Sequence, residues 1–194
     1  LRISAPMSLF FIALLPPPHI QDYVNQIKQN FADDYGSSHA QKSPPHITLQ
    51  PPFEWQDDNL TVLESCLQGF VVSKDVVPIT LNGFGAFVPR VIYIHVEKSS
   101  ELLALQIDLM AYVEKNLGIV DQVSKTRAFA PHMTVAFRDL SKQNFKAAWQ
   151  KYQQRELYFE FIGAELTLLR HNKKRWHIQS QFSLNEKEDD MLPN

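Results

Sequence analysis

The chain has one cysteine, Cys66, in 194 residues, so it has no internal disulfide and no cysteine metal cluster. A reducing compartment, the cytoplasm, is the expected setting. No uncharged apolar run approaches the roughly 18 residues of a membrane span. The longest, Leu9 to Leu15, reads as a buried strand, and no membrane partner is expected. That run is not followed by the small-residue cleavage pattern of a secretory signal, since Pro16-Pro17-Pro18 comes next. Charge of one sign is lacking as well. Lys and Arg number 19 against 21 Asp and Glu, for a formal net charge of −2, which excludes a protein that holds nucleic acid through overall basicity. Any phosphate recognition must be local. None of the seven histidines stands four residues from another, as on a zinc-binding helix, so neither a metal nor another cofactor is expected.

What is present suffices for a core. Hydrophobic residues make up 44% of the chain, and a chain of this length buries roughly 70% of its unfolded surface. Leu1 is no initiator, so residues 1–6 are expected to be an added or upstream extension ahead of Met7. The whole, residues 1–194, is expected to form a single domain, a monomer by default, with a flexible acidic tail over 185–194.

Periodicity predicts the elements. Ser8 to Leu15 reads as a strand ended by the proline triplet, and Ile20, Val24, Ile27 and Phe31 recur at helical spacing after Pro18. A strand at His46 to Gln50 is expected to stop at Pro51-Pro52, and Asp57-Asp58 to cap a helix carrying Leu60, Leu63, Leu67, Phe70 and Val71. Strands at Val76 to Leu81 and Val91 to Glu97 flank an expected loop, Asn82 to Arg90. Ser100 is the expected cap of a third helix buried along Leu103, Ile107, Met110 and Leu117, with Gly118 as its stop. A strand at His132 to Phe137, a helix opened by Ser141, and strands near Leu157 to Ile162, Glu165 to Arg170 and Trp176 to Leu184 complete one α/β or α+β unit.

Each half of that unit contains strand, helix and strand, and each carries one copy of a motif. Pro45-His46-Ile47-Thr48-Leu49 and Pro131-His132-Met133-Thr134-Val135 share the pattern P-H-x-T with an apolar residue on either side of the threonine. In a strand, residues i and i+2 share a face, so each His projects with its Thr while Ile47, Leu49, Met133 and Val135 point the other way. Displacement at phosphorus needs one group to take a proton from the attacking oxygen and another to give one to the leaving oxygen. Imidazole does either near neutrality. Threonine hydroxyls suit the non-bridging oxygens, where charge develops. A lone H-x-T is ordinary in a strand, whereas its repetition points to catalysis.

The twin H-x-T motifs resemble the signature of the 2H phosphoesterases, which include 2′-5′ RNA ligase-like proteins and cyclic nucleotide phosphodiesterases. The opening strand Leu9-Phe10-Phe11-Ile12-Ala13-Leu14, the segment Arg127-Ala128-Phe129-Ala130-Pro131 and the closing stretch Leu166 to Phe182 extend the resemblance over roughly Met7 to Leu184. It implies an α+β, bilobal duplicated fold, with two antiparallel sheets and outer helices around a central cleft. It further implies His46 and His132 as catalytic acid and base, and Thr48 and Thr134 as phosphate-binding donors. The implied substrates are 2′,3′-cyclic phosphates of RNA ends or nucleotides, opened without metal. A 2′-5′ RNA end-joining enzyme and a non-catalytic RNA- or nucleotide-binding module are the alternatives.

Other candidates are weaker. Several family members carry a cation soon after the second motif, but strand parity puts Arg138 off the cleft face. His95 shares a face with Tyr93, a position open to the cleft. Arg170, Lys173, Lys174 and Arg175 beside Trp176 read as a solvated hairpin turn. Phe53, Trp55 and Phe129 read as core.

Overall fold

The computed structural model describes residues 4–186. Much of the expected tail and half of the expected extension therefore lie outside the described residues. Asn185, assigned to the tail, is held in place: its N–H donates to the Lys74 carbonyl and its own carbonyl accepts from Val76.

In chain order the strands are β1 (Met7–Leu14), β2 (Ile47–Gln56), β3 (Val77–Phe87), β4 (Val91–Val96), β5 (His132–Ala136), β6 (Tyr158–Gly163), β7 (Glu165–His171) and β8 (Trp176–Ser183). The helices are α1 (Pro18–Tyr35), α2 (Leu60–Val71), α3 (Ser100–Leu117) and α4 (Lys142–Tyr152). The strands form two four-stranded antiparallel sheets, ordered β2-β1-β7-β8 and β5-β4-β3-β6. This is the expected α+β architecture, with one qualification: the last two strands return to the first sheet, so the lobes interleave in sequence.

Both motif strands lie at sheet edges, and β2 contacts β5. Helices cross between the lobes to support them. Helix α1, which follows β1, packs against β5, and α3, which follows β4, packs against β2. One core runs through both sheets, from Phe10, Ile12 and Leu14 through Ile47 and Leu49 to Met133 and Val135. Each large apolar side chain buried there contributes roughly 1.5–3 kcal/mol. β1 is buried on both faces, because Phe11 and Ala13 pack with Leu169 and Trp176 on its opposite side. Its floor position explains the unbroken apolar run in the sequence.

Five expectations require correction. β2 continues through Pro51-Pro52 to Gln56, because the two prolines occupy a bulge opposite the single residue Phe11 on an edge strand, where missing donors are tolerated. Most of the expected Asn82 to Arg90 loop is strand: β3 reaches Phe87 through a bulge in which Gly83 takes φ 71°. The cap of α3 is Ser99, whose hydroxyl accepts from the Leu102 N–H at 3.1 Å. Its buried face is Leu102, Leu105, Gln106, Leu109 and Val113, while Ile107 is 61% exposed. The helix carries two adjacent apolar stripes, and periodicity does not choose between them. Finally, Asp57 does not cap α2. Its carboxylate pairs with Arg170 at 2.9 Å, and Asn59 occupies the cap position, its side chain donating to Gln56 Oε1 and not capping the helix N–H groups.

Candidate active site

The edge position of β2 and β5 sets the two motifs beside one another. Ile47, Leu49, Met133 and Val135 are buried, and His46, Thr48, His132 and Thr134 are half-buried on the other face, as period-two alternation requires. All four polar residues line one cavity of about 580 Å³. Each imidazole is fixed in the same way. His46 Nδ1 lies 2.7 Å from the Pro44 carbonyl, and His132 Nδ1 lies 2.7 Å from the Ala130 carbonyl. A carbonyl oxygen only accepts, so each Nδ1 carries the proton and each Nε2 keeps its lone pair for a ligand.

Burial pulls the His46 imidazole from 6.5 down to about 4. The backbone carbonyl opposes that fall, while the charges of Lys28 and His132 add to it. His132 is also lowered by burial, against its own carbonyl bond. Both rings are therefore neutral at pH 7, and a nearby anion favours their protonation.

Of the supports of the two rings, Tyr93 lies on the strand face that parity opens to the cleft, whereas no motif marks Phe11 or Phe87 for a site role. Phe11 stands 4.7 Å from the His46 ring, and Phe87 and Tyr93 stand 5.0 and 5.3 Å from the His132 ring. The alternation along β1 was the one signal that could have set Phe11 apart from Phe10 and Ile12. Tyr93 lies over Gly85, where a Cβ would stand 2.4 Å from a Tyr93 ring carbon. Lys28, buried in α1, donates to the Ala40 and Ser43 carbonyls at 2.9 Å and so ties down the segment leading to His46. Its burial lowers its pKa to about 7. Asp139, just beyond β5, accepts from Ser37 Oγ at 2.8 Å and from the Ser38 and His39 N–H groups at 2.9 Å. Burial alone would raise this carboxyl, but the hydrogen bonds outweigh it and hold its pKa below the usual carboxylate value.

Cations rim the cleft. Lys42, Arg138, Lys173 and Lys174 line it with His39 and His171, and no Asp or Glu is among its lining residues. One expectation fails here, and another is extended. β5 ends at Ala136 and Arg138 takes φ 61°, so strand parity no longer applies and Arg138 faces the cleft. The basic turn is not merely solvated, since Lys173, Lys174 and Trp176 form part of the cleft wall. Arg170 does turn away, to Asp57 and to Ser8 Oγ at 3.1 Å.

His95 is not brought to this cavity. It lines a separate depression with Asn82, Gly83 and Tyr158. Phe53 and Trp55 pack on the core as expected. Phe129 packs there too, and also lines a neighbouring pocket of about 650 Å³, shared with Thr48 and His132 and walled by Leu103, Ile107 and Val123. Among the described residues, no group of three or more His, Cys, Asp or Glu is placed to hold a metal ion, and no helix is long and apolar enough to cross a membrane.

Two antiparallel sheets whose facing edge strands each deliver an H-x-T to a cationic cleft define the class: a two-histidine protein of the 2H type. A model of the 2′-5′ RNA ligase superfamily matches residues 16–175, and the chain belongs to that superfamily. It is 29% identical over 182 residues to a Geobacillus sp. (strain WCH70) protein named "Putative phosphoesterase", covering 92% of this chain and 98% of that one. A Bacillus cytotoxicus protein of the same designation is 27% identical over 176 residues, covering 89% and 95%. In fold the chain is similar to E. coli LigT complexed with 3′-AMP (TM-score 0.68, 17% identity, 93% and 99% coverage). It is likewise similar to TT0787 of Thermus thermophilus (TM-score 0.66, 19% identity, 93% and 100% coverage).

Proposed function

We propose that the protein opens 2′,3′-cyclic phosphates of RNA ends or nucleotides to monoesters, without a metal. His46 and His132 serve as acid and base, and Thr48 and Thr134 donate to the non-bridging oxygens. One observation carries this reading: both imidazoles are locked through Nδ1–H onto backbone carbonyls, leaving two Nε2 atoms for a ligand in one carboxylate-free cavity.

In the reaction, one neutral imidazole takes a proton from water as the water oxygen bonds to phosphorus. The other, protonated once the anion is bound, gives its proton to the ribose oxygen as that P–O bond breaks. Solvent then resets both rings. The names of the relatives support phosphoester chemistry. The 3′-AMP bound by LigT is the kind of monoester such a reaction releases.

The test is a panel of 2′,3′-cyclic nucleotides and short RNAs ending in cyclic phosphate, assayed with the wild type, His46→Ala and His132→Ala. Turnover is expected to survive excess chelator and to fall by about 10²- to 10⁴-fold in each variant, with the melting temperature retained. No product from the wild type, or complete loss in chelator, contradicts the proposal. End joining would use the same two groups, with an RNA 5′-hydroxyl in place of water, and would be read as 2′-5′ product when such an acceptor is added.

A further inference from the structure

We infer that the cleft holds a second anion at the β7–β8 turn, so that the preferred substrate is a cyclic phosphate ester carrying a further phosphate group. The inference rests on the central phosphate site proposed above, and three observations carry it.

The first is charge. Lys42, Arg138, Lys173 and Lys174 share the cavity with no carboxylate, in a chain of net charge −2. The ion pairs among the described residues involve Lys74, Lys125 and Arg170, none of these four. A cyclic phosphodiester brings one negative charge, and the Asp139 carboxylate lies behind Arg138 on the His39 backbone, so the lysines of the turn are the cations left for a further anion.

The second is backbone conformation. Among the described residues, Arg138 (φ 61°) and Lys173 (φ 73°) are the non-glycine residues with positive φ, and both line this one cleft. Lys173 takes the first central position of the two-residue turn between Asn172 and Arg175, where glycine would sit without strain. Strain retained at a binding surface suggests that the side chain is needed there.

The third is rigidity and placement. Asn172 Oδ1 accepts from the Lys174 and Arg175 N–H groups at 3.0 and 2.9 Å, and His171 Nδ1 accepts from the Lys173 N–H at 3.1 Å. A chain of rings then joins the turn to His46: His171 to Trp176 at 4.9 Å, Trp176 to Phe11 at 4.6 Å, and Phe11 to His46 at 4.7 Å. The turn is thus braced through packed rings against the His46 ring, and its lysines open into the same cavity as that imidazole.

The experiment is calorimetric and needs no turnover. A nucleoside 3′-monophosphate, the same nucleoside 3′,5′-bisphosphate and a dinucleotide ending in a 3′-phosphate are titrated into the wild type and into the Lys173→Gly/Lys174→Ala double variant. In the wild type, at least one of the two-phosphate ligands is expected to bind at least about tenfold tighter than the monophosphate, as a charge-assisted contact warrants. In the double variant the ratio is expected to fall toward one, while the melting temperature holds because glycine relieves the positive φ. A gain confined to the dinucleotide identifies an internucleotide phosphate as the second anion, and a gain confined to the bisphosphate identifies a small nucleotide. Equal affinities in the wild type, no binding of any ligand, or an unchanged ratio in the double variant overturns the inference. If the ratio behaves as expected but cyclic phosphates are not opened, the proposed reaction fails while the second anion site stands.

Discussion

The two H-x-T sites share one hydrogen-bonding scheme and differ in nearly everything around it. In each, Nδ1 donates to the carbonyl two residues upstream at the same 2.7 Å. Around His46 the wall is a segment tied down by buried Lys28, with Phe11 against the ring and lysines nearby. Around His132 it is the irregular stretch 118–131, two aromatic rings, and a pocket lined by Leu103, Val123 and Phe129. The motif sets which nitrogen is free. The lobe sets how acidic the ring is and what kind of group can lie beside it.

That comparison can be broken at several points. The largest effect is expected from replacing both histidines. Each single alanine variant loses about 10²- to 10⁴-fold in rate, and His46→Ala/His132→Ala is little worse than either, because the two rings act as a unit. Multiplicative losses in single-turnover assays would mean that the rings act independently. The threonines come next. Thr48→Val and Thr134→Val should each lower kcat by about 10²-fold if both donors meet developing charge, and a loss from one alone would show that the lobes are unequal at that step. Gly85→Ala acts on the second lobe only. Its Cβ would displace the Tyr93 ring that walls His132, and a misplacement of this kind costs up to about 100-fold, while the His46 titration, followed by NMR, stays put.

Acidity gives two smaller effects. Because both imidazoles are lowered from 6.5 in the free protein, the kcat/KM profile should be a bell with both limbs below pH 6.5. A limb above that value would contradict the electrostatics. Stability follows the same sign. Between pH 6.5 and about 4 the unfolded His46 binds a proton that the folded one refuses, so stability present above pH 6.5 is lost as the pH falls through this window. The drop in melting temperature from pH 7 to pH 5 should be smaller in His46→Gln. The smallest change is expected from Lys28→Met: the buried charge that opposes protonation of His46 is gone, so the His46 pKa rises while that of His132 does not.

The motifs were legible because their logic is local. Period-two alternation in a five-residue stretch places His and Thr together, and repetition in a second stretch marks the pair. Resemblance supplied the two-sheet architecture. What was illegible depends on distant chain segments. Pro51-Pro52 reads as a strand end until Phe11, far away in sequence, provides the residue opposite a bulge. The two apolar stripes of α3 are equal in periodicity, and packing buries Leu102, Leu105, Leu109 and Val113 while leaving Leu103 and Ile107 to line a pocket. Arg138 faces the cleft against strand parity because β5 ends two residues before it and its φ of 61° turns the chain. The lysines of the 172–175 turn gain meaning from β7 lying beside β1, which no local pattern records.

The central claim is that His46 and His132 grip a single anion between them. NMR titration of both imidazoles, with and without one equivalent of a nucleoside 3′-monophosphate, tests it most directly. The account predicts that both pKa values rise together and saturate at one ligand per chain. Movement of one ring alone, or saturation at two separate ligands, would contradict it.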